Sequence, residues 1–386
     1  MRSDGKTNSL HYSSIDLGDG NGIDVDNNGQ SIHPVDSIPP DWEDWLISIG
    51  EHAAFCQSTT WAEIDAQANG TKPHVVSVDK SAGICIGALI GSQNVIHCDG
   101  PRSWLRWLRG RGSVLALNCF EGPVIAPHAD QNDLICFLDA VDMLAVNLGA
   151  GVVRFITPPA AGWVGHDSFI ENSFKNYGYK ATSWCTALVD LIPDEDAIFA
   201  RINRSARKGI RRCKKDNVSV KQCVTEAEFL NDFCSTYYVA SGKNPLGQPH
   251  LTRRALAMWR LGRGAYRFFI ARSGDGHVLG TLGSYSFNGF ATEIMSSRTA
   301  ESDSRHLPVQ DLLHWELFRT HKALGDHLFN LAGFSPSPST PKEAGIRRFK
   351  EKWGGRTVKI AIYEKKFVHS WVYRFRRHLD RLGWGV

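Results

Sequence analysis

The densest chemistry in the chain is basic. Residues 201–221 carry Arg201, Arg204, Arg207, Lys208, Arg211, Arg212, Lys214, Lys215 and Lys221 against a single acid, Asp216. Spacings of three and four place Arg201, Arg204, Lys208, Arg211 and Lys215 on one helical face. Ile202, Ala206, Ile210 and Cys213 fall on another, which suits packing on a core. Like charges at this spacing repel, so the helix is costly unless anions meet it. It reads either as a phosphate- or RNA-binding face or as a solvated linker helix, and we favour the first. A second segment, Arg347-Arg348-Phe349-Lys350-Glu351-Lys352-Trp353-Gly354-Gly355, sets lysines beside aromatic rings. A lysine desolvated by such neighbours acts at greater electrostatic strength, which suits stabilising the oxyanion formed when an amine attacks a carbonyl. The plainer reading is a basic helix ended by Gly354. A third segment, Asn118-Cys119-Phe120-Glu121-Gly122-Pro123-Val124, reads as a strand followed by a turn.

These segments hang on a plan that occurs twice. Paired strands His74–Asp79 and Gly83–Ile90 precede a strand at Val114–Cys119, a helix whose apolar face is Leu134, Phe137, Leu138, Val141, Leu144, Ala145 and Leu148, a stop at Gly149, and a strand at 152–157. Paired strands Tyr266–Arg272 and 278–286 then precede a strand at 290–296, a helix at 308–324, a stop at Gly325, and a strand at 327–331. The residues are not repeated, but the order is. A helix is expected over 41–55, and a strand over 357–363 follows the lysine-bearing segment.

Composition bounds the class. At 386 residues the chain is long enough for two cores. Residues 1–40 hold two basic and six acidic residues in a Gly-, Asp- and Asn-rich run, and read as a disordered tail of charge −4. The overall net charge of +4 leaves +8 on the remainder, which fits an anionic partner. Nine cysteines are scattered without a CxxC pair, many in apolar runs, as expected of reduced thiols in a cytoplasmic protein. No signal-peptide pattern and no run of ~18 apolar residues is visible. The histidines form no HExxH and no cluster with cysteine, so no metal site is expected. Residues 367–386 read as a basic amphipathic helix, able to pack on the protein or to lie on the inner face of an anionic membrane.

Taken in order, these segments resemble the Fem-type aminoacyl transferases of the GNAT superfamily. The resemblance spans roughly residues 50–365. It rests on Gln57-Ser58-Thr59-Thr60-Trp61, Gly122-Pro123-Val124, Leu188–Leu191, the basic run 207–218, Phe329-Asn330-Leu331-Ala332-Gly333, and Arg348-Phe349-Lys350 with Trp353-Gly354-Gly355. It implies an α/β fold of two tandem GNAT-like domains, each a mixed, mostly antiparallel sheet flanked by helices, at 41–192 and 193–366. It implies transfer of an aminoacyl group from aminoacyl-tRNA to an amine of a phosphate-bearing cell-wall or glycan precursor. No tightly bound cofactor is implied; the acyl donor is a co-substrate. Lys350 takes the catalytic role by resemblance, with Arg204, Arg207, Arg211, Arg348, Phe349, Asn330 and Tyr285 as substrate-binding candidates. Two departures stand out. Ala126 occupies the position where many members carry an aspartate, and the coiled-coil insertion of some members is absent. A related two-domain branch uses acyl-CoA. However, Asp303-Ser304-Arg305-His306-Leu307 and Pro127-His128-Ala129-Asp130-Gln131-Asn132 both lack the glycines of a CoA-phosphate loop. A non-enzymatic RNA-binding module is the competing class, and aromatic stacking residues do not interleave the basic helix as that reading requires.

Overall fold

In the computed structural model, the described residues are 24–25, 31–35, 38–50, 53–81, 83–96, 113–160, 169–240, 242 and 249–367. The basic helix expected over 367–386 lies outside them, apart from Phe367.

One sheet runs through the described residues. Its strands are β1 (Asp24–Val25), β2 (Ser31–Val35), β3 (Lys72–Lys80), β4 (Gly83–Ile96), β5 (Ser113–Phe120), β6 (Val124–Ile125), β7 (Val152–Ile156), β8 (Lys180–Asp190), β9 (Ser219–Gln222), β10 (Tyr266–Arg272), β11 (Val278–Phe287), β12 (Phe290–Arg298), β13 (Leu328–Phe334) and β14 (Arg356–Lys366). Their spatial order is β1-β2-β3-β4-β5-β7-β14-β8-β13-β12-β11-β10-β9, with β6 paired to β4. Most neighbours are antiparallel; β5 with β7 and β12 with β13 are parallel. The segment expected to be a disordered tail is corrected in part: Ile32–Val35 pairs with Val75–Val78. A short strand in a Gly-, Asp- and Asn-rich run, with pairing partners at least 40 residues away, leaves little local signal.

The helices used below are α1 (Trp42–Ile49), α2 (Thr59–Asn69), α3 (Gln131–Leu148), α4 (Phe169–Asn176), α5 (Glu195–Arg201), α6 (Arg204–Lys215), α7 (Pro249–Leu261), α8 (Val309–Ala323) and α9 (Pro341–Glu351). Gly149 ends α3 in the left-handed conformation at φ 66°, as its position requires. α1 is shorter than expected because Gly50 stops it at φ 70°. The basic run also breaks. α5 ends at Arg201, and Asn203 caps a new helix by accepting from the Ser205 amide. Arg201 therefore leaves the arginine face, and Lys221 lies on β9.

The sheet forms a mixed α/β fold whose two halves exchange strands. β8 precedes the second half in sequence, yet Cys185, Ala187 and Val189 pack in that half's core with α5, α6, α8 and Trp353. β14 comes last, yet Ala361 and Tyr363 pack in the first half's core with α3, Phe155 and Phe174. A third core joins the halves: Phe55, Cys56, Ile64 and Ala68 meet Phe229, Phe233, Met258, Tyr266, Phe268 and Tyr285.

Candidate active site

The parallel strands β12 and β13 pair only at Phe290–Thr292 with Leu328–Asn330. Beyond that point each runs on without the other. Met295 and Ala332 adopt φ of 50° and 60°, and the β13–β8 register shifts between Asn330 and Gly333. Bends of this kind re-aim side chains beside sites. In open α/β sheets, the crevice at the carboxyl ends of such strands is where ligands bind.

Asn330 holds the bend. Its Oδ1 accepts from the Thr186 hydroxyl at 2.5 Å and from the Ala332 amide at 3.0 Å, while its Nδ2 donates to Thr292 Oγ1 at 3.4 Å. The structure thus commits the Asn330 amide to two threonine hydroxyls and one backbone amide around the crevice.

Lys350 sits on the last turn of α9 and is 8% exposed. Its Nζ donates to the Gly333 carbonyl at 3.1 Å, just past the bend. Burial holds its pKa below the usual lysine value, and the charge of Glu293 on β12 opposes that shift. Glu293 is itself buried and meets His314 Nε2 through Oε2 at 3.2 Å. His314 Nδ1 lies 2.7 Å from the Gln310 carbonyl, which can only accept, so Nδ1 donates there. A single proton then serves the Glu293–His314 contact. Trp353 stacks on His314 with centroids 5.1 Å apart and 19° between planes, and Phe349 meets the ring edge-on at 5.0 Å. Phe349 therefore builds the wall behind the cluster and carries the Lys352 ammonium 3.9 Å above its own ring. Arg348, its neighbour, is exposed.

The arginine helix abuts this lysine-bearing element. The Asn203 amide donates to the Lys352 carbonyl at 2.8 Å, and Lys352 pairs with Asp311 of α8. Gly209 lets α6 approach, since a Cβ there would lie 2.4 Å from Asp311 Oδ2. Ala206, Gly209, Ile210 and Cys213 are buried. Arg204 and Arg211 are exposed and Arg207 is half-buried. Arg212 pairs with Asp216 and Lys214 with Glu316. Arg204, Arg207 and Arg211 have no ion-pair partner among the described residues; Arg211 lies 5.7 Å from the Phe199 ring centroid.

Tyr285 is placed elsewhere. It lies on β11 opposite Thr292, at the junction of the halves, and its hydroxyl donates to Glu121 Oε1 at 3.1 Å. Glu121 has φ 52° and precedes the cis Gly122-Pro123 bond. Its Oε2 is buried without a hydrogen-bond partner among the described residues. Burial pushes the Glu121 carboxyl above the usual glutamate range, and contacts from Cys56 and Tyr285 only partly offset this. Sequence reasoning saw an ordinary turn here, because the partners come from residues 56 and 285. A raised carboxyl pKa means the folded state holds the proton more tightly than the unfolded chain. The associated stability is fully present below the unfolded value and is lost as pH rises from there through the raised folded value. Glu121→Gln is therefore expected to abolish that decline, so its unfolding free energy gains on wild type in urea titrations as pH rises above the ordinary glutamate value of 4.5.

Among the described residues no group of His, Cys, Asp and Glu is arranged to hold a metal ion, and no helix is long and apolar enough to cross a membrane. Seven of the eight described cysteines are buried.

No family model matches the chain, and no curated protein matches it. Solved structures do. FemX superposes with a TM-score of 0.66 at 11% identity, over 88% of this chain and 98% of its own. A tandem GNAT protein from the clavulanic acid biosynthesis pathway gives 0.52 at 11%, over 87% and 98%. L-PGS from Bacillus licheniformis gives 0.51 at 16%, over 87% and 96%. At these identities the likeness speaks for the fold. Near-complete coverage of both partners, with the exchange-built sheet and flanking helices, establishes that this chain has a Fem-like double GNAT fold.

Proposed function

We propose that the chain is an acyltransferase that moves an aminoacyl group from aminoacyl-tRNA to an amine on a phosphate-bearing cell-wall or glycan precursor. The observation that carries this is Lys350, a buried ammonium at the diverging ends of β12 and β13 whose one hydrogen bond among the described residues is to a backbone carbonyl. An ammonium has three donors, so two remain for an incoming oxygen. The fold likeness to FemX, L-PGS and a tandem GNAT protein supports the same reading.

The chemistry needs little from the protein beyond placement and charge. The amine nitrogen attacks the ester carbonyl, and the carbonyl electrons move onto oxygen beside Lys350. Collapse breaks the ester C–O bond, and the amine's proton passes to the leaving hydroxyl. Orienting the reactants supplies part of the barrier reduction, and the preorganised ammonium supplies another part. The guanidinium groups of Arg204, Arg207 and Arg211, without an ion-pair partner among the described residues, suit acceptor phosphates. Acyl-CoA is the alternative donor, and both loops that could cradle its phosphates lack glycine.

The test offers purified protein three donors, Ala-tRNA, Gly-tRNA and acetyl-CoA, with primary amines bearing or lacking a phosphate ester. Transfer from a charged tRNA, better to the phosphorylated amines, is the expected result. Transfer from acetyl-CoA alone selects the other donor class. RNA binding without transfer to any amine leaves a binding module.

A further inference from the structure

The ladder on β8 is complete on one side only. β14 accompanies it from Lys180 to Leu188, whereas β13 stops at the pair Phe334–Cys185. Lys180, Ala181, Thr182, Ser183 and Trp184 are all exposed. Their backbone direction follows from a contact on the far side of β14. Ala361, opposite Ser183, donates its amide to Thr157 Oγ1 and accepts from the Thr157 amide, both at 3.0 Å. Opposed residues of an antiparallel ladder either exchange both bonds or turn both away from each other. Ser183 therefore turns its N–H and C=O to the flank without a neighbour, and so does Ala181, two residues along. None of these four groups has a hydrogen-bond partner among the described residues. The flank starts beside the candidate site: the Gly333 carbonyl that holds Lys350 lies one residue before the β13–β8 pairing ends. Trp184 is 39% exposed, and its Cε3 lies 3.9 Å from where a Cβ on Gly333 would be.

We propose that this flank of β8 binds an extended peptide as an added strand, in line with β13. Strand addition needs free main-chain donors and acceptors in alternation, and Ala181 and Ser183 together offer two of each. The side chains around the flank select the peptide. Trp184 gives an apolar residue a surface at the inner end. Lys180 at the outer end and Lys359, opposite Cys185, are exposed cations without an ion-pair partner among the described residues. Glu364, opposite Lys180, is taken by Arg154 at 2.5 Å. The flank thus suits a peptide that carries carboxylates. A second copy of this chain is a poor occupant, because five residues fall far short of the ~1,000 Å² that a stable interface buries. The inference concerns binding alone and does not depend on the acyl-transfer reading.

Hydrogen–deuterium exchange on the full chain tests this, with a synthetic pentapeptide of alternating valine and glutamate as the probe. At saturating peptide the Ala181 and Ser183 amides should exchange about tenfold or more slowly, as exposed amides do on gaining a ladder bond. A twin peptide methylated at every backbone nitrogen keeps the side chains and the charge but has no N–H, and it should give no protection. Ser183→Pro removes one donor from the flank. That amide faces no strand, so the fold accepts proline there. Peptide affinity, read by calorimetry, should fall about tenfold or more while the thermal midpoint stays unchanged. If Ser183→Pro fails to fold, the methylated twin still decides. Equal protection by the twin, unchanged exchange of the two amides, or wild-type affinity in folded Ser183→Pro would each overturn the proposal. So would protection that appears with rising protein concentration and no peptide, which would make a second copy the occupant.

Discussion

Replacing Lys350 with Met lowers the rate of acyl transfer by about 10²–10³-fold, the usual loss when one preorganised oxyanion donor is removed. Methionine is the informative choice. It keeps the length and apolar stem of a side chain that is 8% exposed, and it removes only the ammonium. Burying that charge costs stability, so the variant should unfold no earlier than wild type. Turnover at saturating donor, measured beside the urea midpoint, separates chemistry from folding. A Lys350→Met protein with turnover within threefold of wild type sinks the assignment. The pH profile gives a second readout. The role requires the protonated amine, and burial holds its pKa below the usual 10.5. Activity should therefore fall as pH rises through that lowered value, and Lys350→Arg should lack this alkaline limb. Stability runs the opposite way. Between the folded pKa and 10.5 the unfolded chain binds more protons, so the stability contributed by this group rises with pH across that window.

The largest stability effect is expected at Tyr363. Its ring is fully buried and stacks on Phe174 with centroids 4.4 Å apart and 12° between planes. Truncation to Ala should cost about 3–5 kcal/mol, the range for large aromatic residues in a packed core. Tyr363→Phe should be close to neutral, because the hydroxyl is buried without a partner among the described residues. The pair is read by urea unfolding with tryptophan fluorescence and far-UV dichroism together. β14 lies between β7 and β8 and so belongs to both halves. Tyr363→Ala should shift both probes together. A variant in which the second half keeps its wild-type midpoint while the first half melts early would contradict that coupling.

Much of the local structure was readable from residue order. The Tyr266–Arg272 strand matches to the residue, Gly149 and Gly325 end their helices, and the helix face from Leu134 to Ala145 is buried as its periodicity requires. Short-range signals of this kind live in a few neighbouring residues. The exchange of β8 and β14 does not, because nothing in Lys180–Asp190 says that its partners are residues 328–334 and 356–364. The candidate site divides along the same line. The lysines beside aromatic rings in 347–355 were legible as a segment, and the choice of Lys350 within it came from the family resemblance. The partnership of Glu293 and His314 spans 21 positions, and that of Glu121 and Tyr285 spans 164. Neither has a local pattern. Asn330 and Tyr285 were found as residues, but their hydrogen bonds run to the protein's own groups.

The position of the final strand bears on how the molecule can be assembled. As the polypeptide emerges from the ribosome, β7 and β8 are complete while their common neighbour is still almost 170 residues from synthesis. Until then two strand edges stay open, and exposed edges invite pairing with the wrong chain. A gene cut between the repeats would yield two fragments, each missing a piece that the other encodes. Mixing those fragments should restore a folded molecule better than either achieves alone.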